Sequence, residues 1–206
     1  MSIAQHATAG ASVPTPPKSI ADIEAMEQTP LEQRIWSWDI NDWIRKGWSL
    51  APQKVALHYV EDGDPARDPL SITYAELARR STQAANLFHS LGTQPDDGVL
   101  LLMPTLPQLY YSLLGGLSAG VACVVNWMLK SDHLVDLVRN AKTRVLVVLG
   151  PTPGYTIWEN VQAIRDQIPG VKIIAVQALG GKKVDGADFD ELCAQQPGDK
   201  LDRKST

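Results

Sequence analysis

Between residues 98 and 177, short apolar stretches alternate with amphipathic ones at regular spacing. VLLLM (99–103), VACVVN (121–126), VLVVL (145–149) and VKIIAVQ (171–177) are dominated by apolar residues. Runs of that kind and length read as strands buried on both faces. The segments between them carry helical periodicity. A helix is predicted over about 106–118. A second opens at Ser131 as cap, with Leu134, Leu137, Val138 and Ala141 on its apolar side. A third opens at Thr156, with Glu159 closing a capping box and Ile157, Val161, Ile164 and Ile168 facing inward; Pro169-Gly170 ends it. Strand and helix in strict alternation predict an α/β fold: a parallel sheet with helices on both faces and right-handed crossovers.

Upstream the pattern differs. Ser19 caps a short helix, with Asp22 three residues on, and Thr29-Pro30 with Glu32 opens a longer one. Leu31, Ile35 and Trp38 form its apolar face, and Gly47 is expected to end it. Four tryptophans, Trp36, Trp38, Trp43 and Trp48, fall in or just after this helix and read as packing residues. Val55–Val60 alternates with period two and pairs across the turn-rich EDGDPARDP with Leu70–Thr73, which predicts a β-hairpin. His58 sits in mid-strand and reads as structural. Thr73 and Glu76 form another capping box, opening a helix that buries Tyr74, Leu77, Ala78, Ser81, Ala85 and Phe88 and stops at Gly92. After Gln177 the chain turns polar, with a short helix near Phe189–Cys193 and a terminal PGDKLDRKST that offers no further core. The division expected is a mobile N-terminus over 1–18, a helical extension over 19–50, an α/β subdomain over 51–196 and a polar tail over 197–206.

Composition narrows the function classes. The net charge of −4 comes from 19 basic and 23 acidic residues, interspersed along the chain. A nucleic-acid binder would show a basic patch or stripe, so no nucleic acid is expected. Cys123 and Cys193 lie far apart and share no metal-ligand spacing with a histidine, so two reduced thiols are expected. No stretch resembles a signal peptide or a transmembrane span, and a cytoplasmic protein is expected.

Two segments look like chemistry. Gly116-Leu117-Ser118-Ala119-Gly120 matches the G-x-S-x-G nucleophile elbow by letter. The elbow works because a strand-to-helix turn projects the serine above the sheet, whereas here a helix precedes and a strand follows. His133 is the only later histidine and Asp132 stands directly beside it, so no relay forms. Ser118 therefore reads as a helix end packed against the sheet. Gly150-Pro151-Thr152-Pro153-Gly154 leads from a strand to a helix N-terminus, a favourable place for anions. It lacks G-x-G-x-x-G and a following lysine, and its prolines remove N–H donors, so a rigid connection is expected. The strand C-termini, where such sheets bind ligands, end in Met103, Asn126, Leu149 and Gln177 and offer no carboxylate pair or metal cluster.

Taken in order, ITYAEL (72–77), DDGVLLLMPTLPQLYYSLLGGLSAG (96–120), LSAGVACVVN (117–126) and the stretch 145–176 resemble the start of the adenylate-forming acyl-CoA synthetases, in particular bacterial fatty-acyl-CoA synthetases. The likeness covers about residues 20–196. Trp127 stands where that family commonly has Pro, and Thr105 where Asn is usual. The resemblance implies ATP, Mg²⁺ and CoA as cofactors of a full-length enzyme and a fatty or other carboxylic acid as its substrate. The family's phosphate loop ends in Pro-Lys; Pro17-Lys18 has no strand before it and does not match. The adenine- and ribose-binding motifs and the catalytic lysine have no counterpart here either. No catalytic, cofactor-binding or metal residue is therefore assigned, and the chain is expected to be inactive alone. A free-standing α/β binding or interaction module is the alternative. Self-association is expected through the Trp-rich segment 36–48 and the pair Tyr110–Tyr111.

Overall fold

The structure is a computed structural model that describes residues 16–34, 40–62 and 66–202. It falls into two units, Met1–Lys54 and Val55–Thr206. The mobility expected of residues 1–15, and the placement of Ile35, Trp36 and Trp38, lie outside the described residues.

In the first unit, α1 (Ile20–Glu27) opens on a complete capping box. The Ser19 hydroxyl accepts the Asp22 N–H at 3.2 Å, and the Asp22 carboxylate accepts the N–H groups of Ser19 at 2.9 Å and Lys18 at 2.8 Å. These bonds, the one from Lys18 foremost, hold the Asp22 carboxyl below its usual range. The next helix starts later than the sequence suggests. α2 (Leu31–Arg34) has its first turn closed on the Pro30 carbonyl by Gln33 and Arg34, at 3.0 and 3.3 Å. α3 (Ile40–Leu50) then runs straight through Gly47, which was expected to end it. One glycine costs a helix only about 1 kcal/mol, and Gly47 keeps a right-handed conformation. Trp43 is exposed and Trp48 half-buried.

The second unit begins with an antiparallel hairpin of β1 (Val55–Tyr59) and β2 (Leu70–Thr73). His58 pairs with Ser71 across it, its Nδ1 lying 2.9 Å from the hydroxyl, which is the structural role expected of it. Thr73 then caps α4 (Tyr74–Ser90) by accepting the Glu76 N–H at 3.2 Å. Only this half of the expected box forms: the Glu76 carboxylate turns instead toward Arg79 and Arg80, at 3.9 and 3.8 Å. Gly92 ends α4 in the left-handed region at φ 85°. Its N–H bonds to His89 O and that of Thr93 to Phe88 O, satisfying carbonyls the helix end would otherwise orphan.

The remaining elements are β3 (Gly98–Leu102), α5 (Pro107–Ala119), β4 (Val121–Val124), α6 (Ser131–Asn140), β5 (Thr143–Leu149), α7 (Ile157–Gln167), β6 (Lys172–Val176) and α8 (Phe189–Ala194). The four strands form one parallel sheet in the order β4-β3-β5-β6. The α/β fold with helices on both faces is thus present as read. α4, α5 and α8 cover one face; α6 and α7 cover the other, as right-handed crossovers in opposite directions require. All of β3 and nearly all of β5 is buried, each large apolar side chain there contributing about 1.5–3 kcal/mol.

Two helix starts differ from expectation. Lys130, in extended conformation, takes the N-cap position of α6 and Ser131 is already helical. Val135 takes the core place expected for Leu137, because the buried stripe centres between Leu134 and Val135. Thr156 makes no capping bond, since at φ −103° and ψ 13° its backbone is not extended. α8, small as it is, buries Phe189 and Cys193, with Asp188 accepting the Glu191 N–H at 2.9 Å.

Candidate functional site

Strand order dictates where a ligand would meet this sheet. From β3 the chain moves outward to β4, then crosses back past β3 to β5 and on to β6. The direction reverses between β3 and β5, and the connections at their C-terminal ends diverge there, opening a crevice. It is bounded by the turn after β3, which carries Thr105, and by the loop 150–154 after β5.

The loop 150–154 is tied down at its ends. The Gly150 N–H bonds to Val176 O at 2.8 Å and the Tyr155 N–H to Thr152 O at 3.2 Å. The Thr152 hydroxyl donates to Gly150 O at 2.9 Å, while Pro151 O accepts the Lys182 N–H at 2.7 Å. These bonds tie both ends of the loop and the Pro151 carbonyl to the protein. Ser118 lies in the last turn of α5, its hydroxyl donating to Leu114 O at 3.1 Å. His133 and Asp132 sit in the first turn of α6. Pro17-Lys18 precedes α1, where the Lys18 N–H helps cap that helix.

What the sequence did not announce is an aromatic set at this sheet edge. Asn126 accepts the Met128 N–H at 3.0 Å, an Asx turn that sets the chain direction as it leaves β4. Trp127, in that turn, meets Tyr155 edge to face with ring centroids 5.5 Å apart. Tyr59 of the hairpin has its hydroxyl pKa raised by burial, then by Glu61 and Tyr155. No sequence signal links these three residues, because they come from loops and strands far apart in the chain.

Beside this set lies a cleft of about 350 Å³, walled by Tyr59 and Leu70 of the hairpin, Leu106 and Gln108 at the start of α5, and Gln177 after β6. Asp62 and Arg67 on its rim pair at 2.8 Å. Gln177 donates to Gly181 O at 3.1 Å and Gln108 to the Asp190 carboxylate at 2.9 Å. These polar groups are bonded within the protein, and the carboxylates of Glu61 and Asp68 line the cleft as well. Between α4 and α8, Arg80 approaches Asp190 at 3.8 Å; the Tyr111 hydroxyl is pushed up to about 12, chiefly by burial. Burial likewise pushes the Cys193 thiol up. Among the described residues no group of three or more His, Cys, Asp or Glu could hold a metal ion. No helix among them is long and apolar enough to cross a membrane.

Residues 45–204 match the family described as AMP-binding enzyme. Marinolic acid–CoA ligase of a Pseudoalteromonas species is 26% identical over 180 residues, 87% of this chain and 27% of that protein. The acetyl-coenzyme A synthetase of Mycolicibacterium smegmatis is 38% identical over 153 residues, 69% of this chain but only 16% of its own length. The chain thus spans between about a sixth and about a quarter of these relatives. Among solved structures, a benzoate CoA ligase from Burkholderia xenovorans superposes with a TM-score of 0.63 at 23% identity, over 82% of this chain and 31% of that one, a likeness of fold.

Proposed function

The chain belongs to the AMP-binding enzyme family, and from that premise we propose that it is the N-terminal section of an acyl-CoA synthetase. The observation that carries this is the match over 45–204, joined by relatives named as CoA ligases and CoA synthetases. The whole enzyme would join a fatty or other carboxylic acid to ATP, giving acyl-adenylate and pyrophosphate with Mg²⁺, and then pass the acyl group to the thiol of CoA. Charge building up at the phosphates needs cationic stabilisation. The two prolines of the loop 150–154 remove N–H donors that a phosphate cradle would use, so that stabilisation would come from other parts of the enzyme. In this proposal the α/β subdomain over 51–196, preceded by the helical extension 19–50, serves as scaffold and as one wall of a cleft at the strand C-termini. The chain alone does not turn over. A cytoplasmic location fits its two unpaired cysteines. The β4 edge, where apolar side chains meet solvent, favours self-association.

Pyrophosphate release with ATP, Mg²⁺, CoA and a panel of carboxylic acids tests the proposal. The full-length protein should show acid-dependent release and the 206-residue chain should match a blank without protein. Release by this chain alone would overturn its role as scaffold. No acid dependence in the full-length protein would overturn the synthetase assignment.

A further inference from the structure

Asn86 of α4 is 2% exposed, and a buried amide of this kind needs partners for its donors and its acceptor. All come from the backbone of one distant segment. Its Nδ2 donates to Pro197 O and to Lys200 O, both at 2.8 Å, and its Oδ1 accepts the Asp202 N–H at 2.8 Å. One turn earlier, Gln83 donates to Gln196 O at 3.1 Å and receives Arg79 at 3.1 Å. Gly198 lies so close to α4 that a methyl there would stand 2.6 Å from Arg79 Cγ. The segment is anchored at its other end too. Ala187 O accepts the Ala175 N–H at 2.7 Å on the free side of β6, and Phe189 and Cys193 are buried. Residues 187–202 therefore cross one face of the sheet, from its β6 edge to α4.

We propose that Asn86 is a positioning residue: with Gln83 it clamps residues 196–202 onto α4 and fixes the point at which the chain leaves the sheet. Two features set this apart from ordinary packing. The contacts are made to main-chain atoms, so the clamp depends on the path of the segment and not on its polar side chains. A single amide also binds groups spaced over six residues, which holds a loop shape rather than one point. Composition does not reveal these contacts, because none of residues 197–202 is itself buried.

Hydrogen exchange on the full chain tests the clamp. In Asn86→Leu the Asp202 amide should exchange about tenfold faster or more, while amides of β3 and β5 keep their protection. A trypsin time course read by mass spectrometry should show faster cleavage after Lys200 in the same variant. Should Asn86→Leu fail to fold, Asp202→Pro carries the test, since it removes one N–H from the segment and touches no core residue. Faster cleavage after Lys200 in Asp202→Pro supports the clamp. Unchanged cleavage in a folded variant, or loss of protection spread evenly through β3 and β5, overturns it.

Discussion

Trp127 and Tyr155 touch edge to face at 5.5 Å although the strands they follow, β4 and β5, are not neighbours. β3 lies between those strands, so the two side chains meet over its C-terminal end, at the place where the winding direction reverses. Edge-to-face pairs contribute about 0.5–1.5 kcal/mol beyond their buried area. A double-mutant cycle on Trp127→Ala and Tyr155→Ala, read by urea unfolding, should give a coupling energy in that range. Strict additivity would mean that the rings stand side by side without supporting one another.

The helix starts give a paired prediction. Thr73 has an extended backbone and its hydroxyl holds the Glu76 N–H; Thr156 has neither feature. Thr73→Ala should cost about 0.5–2 kcal/mol, and Thr156→Ala should stay within about 0.5 kcal/mol. Urea midpoints of the two variants compare them directly. Equal losses would show that the Thr73 hydroxyl is not what closes the helix.

These two threonines also show what could be read from sequence. The letters T-x-x-E are identical at both sites, yet capping depends on φ and ψ at the threonine, which the letters leave open. Thr73 is held extended by β2, whereas Thr156 leaves a proline-containing loop already turned. Period and apolarity located all four strands and the crossover helices; burial on two faces explains the apolar runs of β3 and β5, whereas β4, expected to be buried too, is an edge strand with no buried residue. The same logic placed Ser118 in a helix end despite its motif. The pairing of Trp127 with Tyr155, and the clamp at Asn86, were illegible because both depend on contacts between distant segments.

Tyr111 gives a pH dependence. Its hydroxyl stands at about 12 in the folded protein against 10.0 for an unperturbed tyrosine, with burial as the main cause. Folding thus favours the neutral phenol. The stabilising contribution is complete below pH 10 and is lost as pH rises through about 12, on the order of 2 kcal/mol. Tyr59 shifts in the same direction, so Tyr111→Phe should flatten the alkaline loss of stability without abolishing it. Urea unfolding at several pH values between about 9 and 12 reads this; identical slopes in wild type and variant would show that Tyr111 titrates alike in the folded and the unfolded chain.

Self-association is best sought at β4. Of the pair Tyr110–Tyr111, only Tyr110 reaches solvent; Tyr111 is 5% exposed and packs inward, so the expected aromatic pair is not a surface. Trp43 of the Trp-rich segment is exposed, and further apolar residues face water on and around β4. Tyr110 and Leu117 lie seven residues apart on the outer side of α5, and Met128 is exposed just past β4. Val121 is 48% exposed and Val124 56% exposed. Their odd spacing sends them to opposite faces of β4, which pairs with β3 on one side only. An edge strand with open backbone groups and no charged residue between Val121 and Val124 invites pairing with another chain. Two-fold symmetry is the commonest outcome, since one edge can then meet its own copy. Light scattering coupled to gel filtration should show a mass that rises with concentration toward a dimer. Val124→Lys puts a charge on that edge and should return the chain to monomer without moving its urea midpoint by more than about 0.5 kcal/mol. A monomer at every concentration in the unmodified chain would remove β4 as an interface, and a dimer that survives Val124→Lys would place the contact on another surface.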